Sequence, residues 1–218
     1  MNTKLLQGIP LFASLEEDEI KVIASRIQLR QWPQKRVIMN EGESSDSLYI
    51  ILSGKVKIFL LDESGEEIIL NFLHEGDYFG EVSLFDDSDR SASVMTLTDA
   101  CFAVLQKKDF LALMSSHPEL ALTIIKGLTM RLRGLTGSVR NLALMDVYGR
   151  VAHTLLELAV EKDSQRVILE NLTYEELAKR VGASTKMVGR VMKDLKTGGY
   201  ITKTGKRLVI NQSFPSSW

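Results

Sequence analysis

The chain has one cysteine, three histidines and no long hydrophobic run. A single thiol, Cys101, excludes an internal disulfide and any multi-cysteine metal or iron–sulfur site. Its place in the apolar run Cys101-Phe102-Ala103-Val104-Leu105 predicts a buried structural thiol. His74, His117 and His153 are too scattered to build a zinc site, and no metal ligands are assigned. An exposed turn position is expected for His74 rather than an axial role on a haem. No apolar stretch approaches the ~20 residues that a membrane span needs, and the N-terminus shows no signal-peptide pattern, so a cytoplasmic protein without membrane contact is expected. The G-x-S-x-G, H-E-x-x-H and P-loop patterns are missing, which argues against an enzyme.

At 218 residues the chain is long enough for two domains, each with its own core. An apolar fraction of 44% and a charged fraction of 25% are ordinary for a globular protein. The formal net charge of −1 conceals an asymmetry. Before Asp146 there are 15 Lys and Arg against 20 Asp and Glu, a net of −5; from Asp146 onward there are 12 against 8, a net of +4. An acidic part joined to a basic part suggests that only the second meets a polyanion.

Periodicity divides the chain further. Ser14-Leu15-Glu16-Glu17 has capping-box spacing and predicts a short helix through about Ile27. From Arg36 to Gln106 the pattern is of strands. Val56, Ile58 and Leu60 alternate with Lys55, Lys57 and Phe59, the period of two expected when one face is buried. Apolar stretches at Leu48–Leu52, Ile68–Leu73, Val94–Leu97 and Cys101–Leu105 are punctuated by the turns Glu41-Gly42, Ser53-Gly54, Ser64-Gly65 and Glu75-Gly76-Asp77. Many short strands at this spacing predict a small antiparallel sandwich or barrel.

After Asp109 the pattern turns helical. From about Pro118, the residues Ala121, Ile125, Leu128, Leu132, Leu135, Val139 and Leu142 recur at alternating steps of four and three. That is an a/d seam, expected at a dimer interface, whereas a helix packed on its own domain carries a broader stripe. Asp146 predicts an N-cap that ends the long helix and starts another through about Val160, with a hinge between them. A strand at Arg166–Leu169 precedes Thr173-Tyr174-Glu175-Glu176, a second capping box. Its helix bears Leu177, Ala178 and Val181. Gly182 supplies a turn, and Ser184 caps a helix bearing Met187, Val188, Val191, Met192 and Leu195. Two short helices about a glycine turn describe a helix-turn-helix. Tyr200–Thr202 and Leu208–Ile210 add a hairpin, or wing, carrying Lys203, Lys206 and Arg207.

The segment Gly80-Glu81-Val82-Ser83-Leu84-Phe85-Asp86-Asp87-Ser88-Asp89-Arg90-Ser91-Ala92 carries the most specific chemistry. Gly80 frees a backbone amide, Glu81 can accept from a ribose hydroxyl, and the Arg90 fork suits phosphate oxygens better than a lysine would. Backbone N–H groups and the Ser91 hydroxyl complete an anion cradle. The nine-residue step from Glu81 to Arg90 resembles the phosphate-binding cassette of cyclic-nucleotide-binding domains.

The order of barrel, cassette, long helix, hinge and winged helix-turn-helix resembles the CRP/FNR family of bacterial transcription regulators along essentially the whole chain. Asn141-Leu142-Ala143 through Asp146-Val147 and Val181-Gly182 through Val188-Gly189-Arg190 carry the resemblance beyond the cassette. It implies an α+β fold: an antiparallel β-barrel or jelly roll over 1–117, a dimerisation helix over 118–145 and a winged helix-turn-helix over 146–218. It implies a cyclic nucleotide effector, cAMP before cGMP or another, held by Ile58, Leu70, Asn71, Gly80, Glu81, Val82, Ser83, Arg90 and Ser91, with Leu135 and Thr136 of the long helix at the base. It also implies a homodimer on pseudo-palindromic double-stranded DNA, contacted through Thr173, Ser184, Thr185, Lys186, Gly189, Arg190 and Lys206, with RNA polymerase as a further partner.

Two departures bear on specificity. Cyclic-AMP-responsive members present a Thr-Ser pair where this chain has Leu135-Thr136, and Leu135 strengthens the seam but cannot hydrogen-bond. Members reading TGTGA carry Arg-Glu after the capping serine, whereas this chain has Thr185-Lys186 before the retained Gly189-Arg190. Arg190, one turn beyond Lys186, suits guanine O6 and N7. Lys179, Arg180, Lys193 and Lys196 are expected to be solvated charges. Two other readings stand beside this one. One is a ligand-independent regulator in which Glu81 and Arg90 form a structural ion pair. The other is a nucleotide-binding adaptor whose basic domain docks an acidic protein.

Overall fold

A computed structural model describes residues 6–63, 65–162, 165–169, 172–205 and 207–215. The chain divides into two compact units, 1–132 and 133–218. The first is built from strands β1 (Gln28–Trp32), β2 (Val37–Met39), β3 (Ser47–Ser53), β4 (Val56–Leu61), β5 (Glu67–Leu73), β6 (Tyr78–Phe79), β7 (Ser93–Thr96) and β8 (Ala100–Gln106), with helices α1 (Glu17–Arg26), α2 (Val82–Asp86) and α3 (Lys107–Ser116). Helix α4 (Pro118–Leu144) runs from this unit into the second.

The eight strands form two antiparallel four-stranded sheets, ordered β1-β8-β3-β6 and β2-β7-β4-β5, a jelly-roll arrangement. One apolar core lies between them and includes Ile51, Val56, Leu73, Phe79, Val94 and Phe102 from both sheets. Aromatic rings fill its centre, with Tyr49 stacked on Phe79 at 5.0 Å and Phe102 edge-on to Phe79 at 5.7 Å. The outer face of the first sheet is covered by helices. Leu48, Ile50, Ala103 and Leu105 pack there against Ile20 and Ile23 of α1, Phe110 of α3, and Leu120 and Ile124 of α4. With both faces covered, β8 reads as a continuous apolar run rather than an alternating one.

Several local expectations are corrected. Helix α1 begins two residues later than predicted, with Glu16 as its N-cap. The Glu16 amide donates to Glu19 Oε2 at 2.8 Å, so the box is Glu16/Glu19 rather than Ser14/Glu17. Cys101 is half-buried, not buried; it shares the helix-covered face with Ala103 and Leu105 but sits at the strand end opposite Gln31 and Ser53, beyond that core. The simple alternation along β4 fails because residues on both faces are buried, while the register shift between Ile58 and Phe59 comes from an extra residue, Leu70, on β5. Phe59 and Lys57 are buried while Ile58 and Leu60 are only half-buried. Lys57 pairs there with Glu67, 2.5 Å away, and lies over the Phe59 ring. The turn residue Ser64 lies outside the described residues.

The second unit holds α5 (Val147–Leu158), β9 (Val160–Lys162), β10 (Gln165–Ile168), α6 (Tyr174–Val181), α7 (Thr185–Thr197), β11 (Ile201–Thr204) and β12 (Arg207–Ile210). The predicted N-caps are all found. Asp146 accepts from the Gly149 amide at 2.7 Å, Thr173 from Glu176 at 3.1 Å and Ser184 from Met187 at 3.3 Å. Gly182 ends α6 in the left-handed region at φ 62°, where a side chain would be strained. Helix α5 stops at Leu158, short of Val160, because Val160 opens β9, which completes a sheet ordered β11-β12-β10-β9. Tyr148, Val151, Leu155, Leu177, Val188, Met192, Leu195 and Ile201 form the core of this unit.

Candidate nucleotide and DNA sites

The cassette opens on Gly80 at φ 85°. No side chain fits there: a Cβ would lie 2.8 Å from Arg90 Nη1 and 2.9 Å from the Ser47 carbonyl oxygen. That close approach lets Arg90 enter the protein, where it is 3% exposed. Nη1 donates to the Gly80 carbonyl and to Ser83 Oγ, both at 2.6 Å. Nη2 donates to Ser45 Oγ at 2.6 Å and to the Ser47 carbonyl at 2.7 Å. Buried Nε has no partner. All four acceptors are neutral oxygens, and burial lowers the guanidinium pKa from its ordinary value. A buried cation with no bonded carboxylate and an orphaned N–H has the chemistry to accept an anion.

The pairing of Glu81 with Arg90 considered above is not formed. Glu81, 2% exposed, instead accepts from Arg131 Nη1 of α4 at 2.6 Å. Arg131 also donates to the Tyr78 carbonyl oxygen and lies over the Tyr78 ring. Tyr78 in turn donates to the Ile124 carbonyl oxygen at 3.3 Å, and its hydroxyl occupies a notch in α4 that any side chain at Gly127 would close. Burial pushes the Tyr78 phenol up to about 12, so it stays neutral. Arg131, Tyr78 and Ser45 escaped the sequence reading because nothing local to them marks a partner 45 to 53 positions away.

Among the other predicted ligand residues, Ile58 and Asn71 face each other across β4 and β5, and the bulge places Leu70 beside them; all three are half-buried. Ser83 is 3% exposed and spent on Arg90. Val82 and Ser91 are exposed. Leu135 and Thr136 belong to the second unit, where both are exposed. A surface cleft of ≈ 210 Å³ between α1 and α3, lined in part by Arg26, Asp109 and His117, shares no residue with the cassette. No group of three metal-binding side chains occurs among the described residues.

Along α4 the predicted seam separates. Leu128 packs against the jelly-roll core together with Leu120 and Ile124 at four-residue steps, and Ala121 is half-buried. Ile125, Leu132, Leu135, Val139 and Leu142 are 42% to 65% exposed. At the end of the helix, Arg150 donates to the carbonyl oxygens of Met145, Val181 and Gly182 at 2.9, 2.7 and 3.2 Å. It thereby ties the junction at Asp146 to the helix-turn-helix.

Helix α7 buries Val188, Met192 and Leu195 and exposes Lys186, Arg190 and Lys193 at steps of four and three, a basic stripe on one face. Thr185 is exposed beside it, and the hydroxyls of Thr173 and Ser184 serve as caps. Lys196 is not a free solvated charge: its Nζ donates to Tyr174 Oη at 2.7 Å and sits over the ring. Lys179 pairs with Glu175 at 2.9 Å. Tyr174 itself was missed; it opens α6 and lies beside Gly189. On the wing, Lys203 and Arg207 are exposed. Lys206 lies outside the described residues.

A jelly roll with this cassette and a winged helix-turn-helix with a basic face define a two-domain transcription regulator. Comparison with known proteins agrees. Residues 29–117 match the cyclic nucleotide-binding domain, and residues 149–213 match the Crp-like helix-turn-helix domain. The chain is 34% identical over 190 residues to the cAMP-activated global transcriptional regulator CRP of Salmonella typhimurium, covering 85% of this chain and 90% of that one. It is 32% identical to the CRP-like cAMP-activated global transcriptional regulator of Mycobacterium tuberculosis over 96% of both. Among solved structures, the c-di-GMP responsive global regulator CLP of Xanthomonas campestris superposes with a TM-score of 0.79 at 25% identity, over 90% of this chain and all of that one. The catabolite activator protein of Thermus thermophilus does so at 0.56 and 30% identity, over 94% of each. The chain belongs to the CRP/FNR family, a family of DNA-binding transcription regulators and not of enzymes. No helix among the described residues is long and apolar enough to cross a membrane.

Proposed function

We propose that this regulator is controlled by a cyclic mononucleotide bound at the cassette, and that it acts as a cytoplasmic homodimer on pseudo-palindromic DNA together with RNA polymerase. The observation that carries the effector is Arg90. A buried guanidinium whose Nε–H has no acceptor suits a phosphodiester, and Glu81, held by Arg131, keeps acceptor capacity for a ribose hydroxyl. The residues present therefore fit one sugar joined to one cyclic phosphate. The bound nucleotide supplies the anion that Arg90 lacks. This chain's part is to orient it between Glu81 and Arg90, with Leu135 and Thr136 proposed as readers of the base. The cAMP-activated relatives favour a mononucleotide over the cyclic dinucleotide of the Xanthomonas regulator.

The assembly rests on the exposed apolar row from Ile125 to Leu142, whose burial against a second copy removes it from water. The DNA contact rests on the α7 stripe, with Arg190 as base reader. Calorimetry with cAMP, cGMP and c-di-GMP tests the effector; saturable binding of a cyclic mononucleotide is expected, and heat only from c-di-GMP, or from none of the three, refutes it. Sedimentation at micromolar concentration should give a dimer that Leu132→Asp converts to monomer. Selection of bound sequences from a random duplex pool should return a symmetric site whose half differs from TGTGA, and recovery of no symmetric motif would defeat the regulator reading.

A further inference from the structure

Every acceptor around Arg90 is supplied by the protein, but the four are not equally fixed. The Gly80 and Ser47 oxygens are main-chain carbonyls, Ser47 being the first residue of β3. Ser83 lies in α2 and bonds Nη1. Ser45 is different. It bonds Nη2, the nitrogen that shares the outer edge of the fork with the orphaned Nε, and it does so through a hydroxyl on the loop 40–46 outside any strand or helix. The loop is held against Arg90 from the main chain as well: the Gly42 amide donates to the Arg90 carbonyl at 2.9 Å, and the Arg90 amide donates to the Glu43 carbonyl at 3.0 Å. Ser45 is therefore placed by the fold.

A phosphate bridging the fork side-on needs both Nε and Nη2. Nε is available; Nη2 is available only if one of its acceptors leaves. The Ser47 carbonyl is fixed by the sheet, so the Ser45 hydroxyl is the group that yields. Resting on the effector reading above, we propose that Ser45 is a specificity-determining residue that occupies the phosphate-facing half of the Arg90 fork and sets the effector concentration at which the regulator responds. Ser45 stands in for a phosphate oxygen in the unliganded protein, and each binding event breaks its bond to Nη2. Effector affinity is therefore lower than the cassette would give with no hydroxyl at position 45. A nucleotide too weak to displace Ser45 does not register.

The test is titration of the full chain with cAMP by calorimetry, for the parent, Ser45→Ala and Ser45→Thr, with melting temperatures of the unliganded proteins. Removing the hydroxyl should raise cAMP affinity about tenfold, the worth of one hydrogen bond to a charged group. It should also lower the melting temperature of the unliganded protein slightly. Ser45→Thr, which keeps the hydroxyl, should bind like the parent. If the parent binds cAMP and Ser45→Ala binds it equally or more weakly, the proposal is overturned while the effector reading stands. If the parent gives no heat and Ser45→Ala does, the proposal is upheld in its strong form. If neither binds, the effector reading and this proposal fall together.

Discussion

The two units of this chain handle charge in opposite ways. In the jelly roll three charges are inside: Glu81, Arg90 and Lys57 are 2%, 3% and 6% exposed, each held by named partners. In the winged helix the core is apolar and the basic stripe of Lys186, Arg190 and Lys193 is outside. A buried charge discriminates strongly but needs every neighbour in place, because desolvation is costly wherever a partner is missing. An exposed stripe tolerates variation and works through phosphate attraction that salt screens. On the reading proposed above, one unit recognises a single small anion and the other searches a long polyanion.

The contrast can be broken most decisively at Arg90. Arg90→Ala should weaken cyclic-nucleotide binding by roughly 2–5 kcal/mol, because a desolvated phosphate partner is lost. The loss should barely change between low and high salt; a loss that vanishes at high salt would put Arg90 in the same class as the surface stripe. Arg190→Ala should cost ~1–3 kcal/mol of DNA affinity and relax preference at one base pair, read by competition among operator variants. Equal loss on every duplex would reduce Arg190 to a phosphate contact. Lys203→Ala on the wing should weaken all duplexes alike and lower the salt slope by about one unit, with no change of preferred sequence.

The smallest effect sharpens the buried side of the comparison. The Tyr78 phenol, pushed up to about 12 from an ordinary value of 10.0, should give an ionisation step near that value in an ultraviolet titration, and Tyr78→Phe should remove that step. Because the folded value lies above the unfolded one, the associated stability is complete below pH 10 and is lost as pH rises from there toward 12. A Tyr78 that titrates near its ordinary value of 10.0 would mean that the notch at Gly127 is open to water.

Much of this was legible in the chain itself because it is local. The caps at Asp146, Thr173 and Ser184, the turn at Gly182 and the Glu81 to Arg90 spacing each span a few residues, so pattern alone places them. The Glu16 cap was misjudged because two carboxylates and a serine compete for the same start within four residues. The alternation in β4 misled because both faces of the strand are covered, so Lys57 and Phe59 are buried as Val56 is. At Leu128 a heptad step and a four-residue step coincide, so periodicity could not say whether the residue faces its own domain or another copy.

What the sequence by itself determined about this protein is its kind: two parts of opposite net charge, a Gly80-Glu81 to Arg90 cassette and a helix-turn-helix with a basic face. Only the tertiary structure decided who holds whom. It gave Glu81 to Arg131, Arg90 to Ser45 and Ser83, Lys196 to Tyr174, and Arg150 to the turn at Gly182. The physical reason is that a charge taken from water must find partners wherever the fold brings them, across separations of seven to fifty residues that carry no periodic signal.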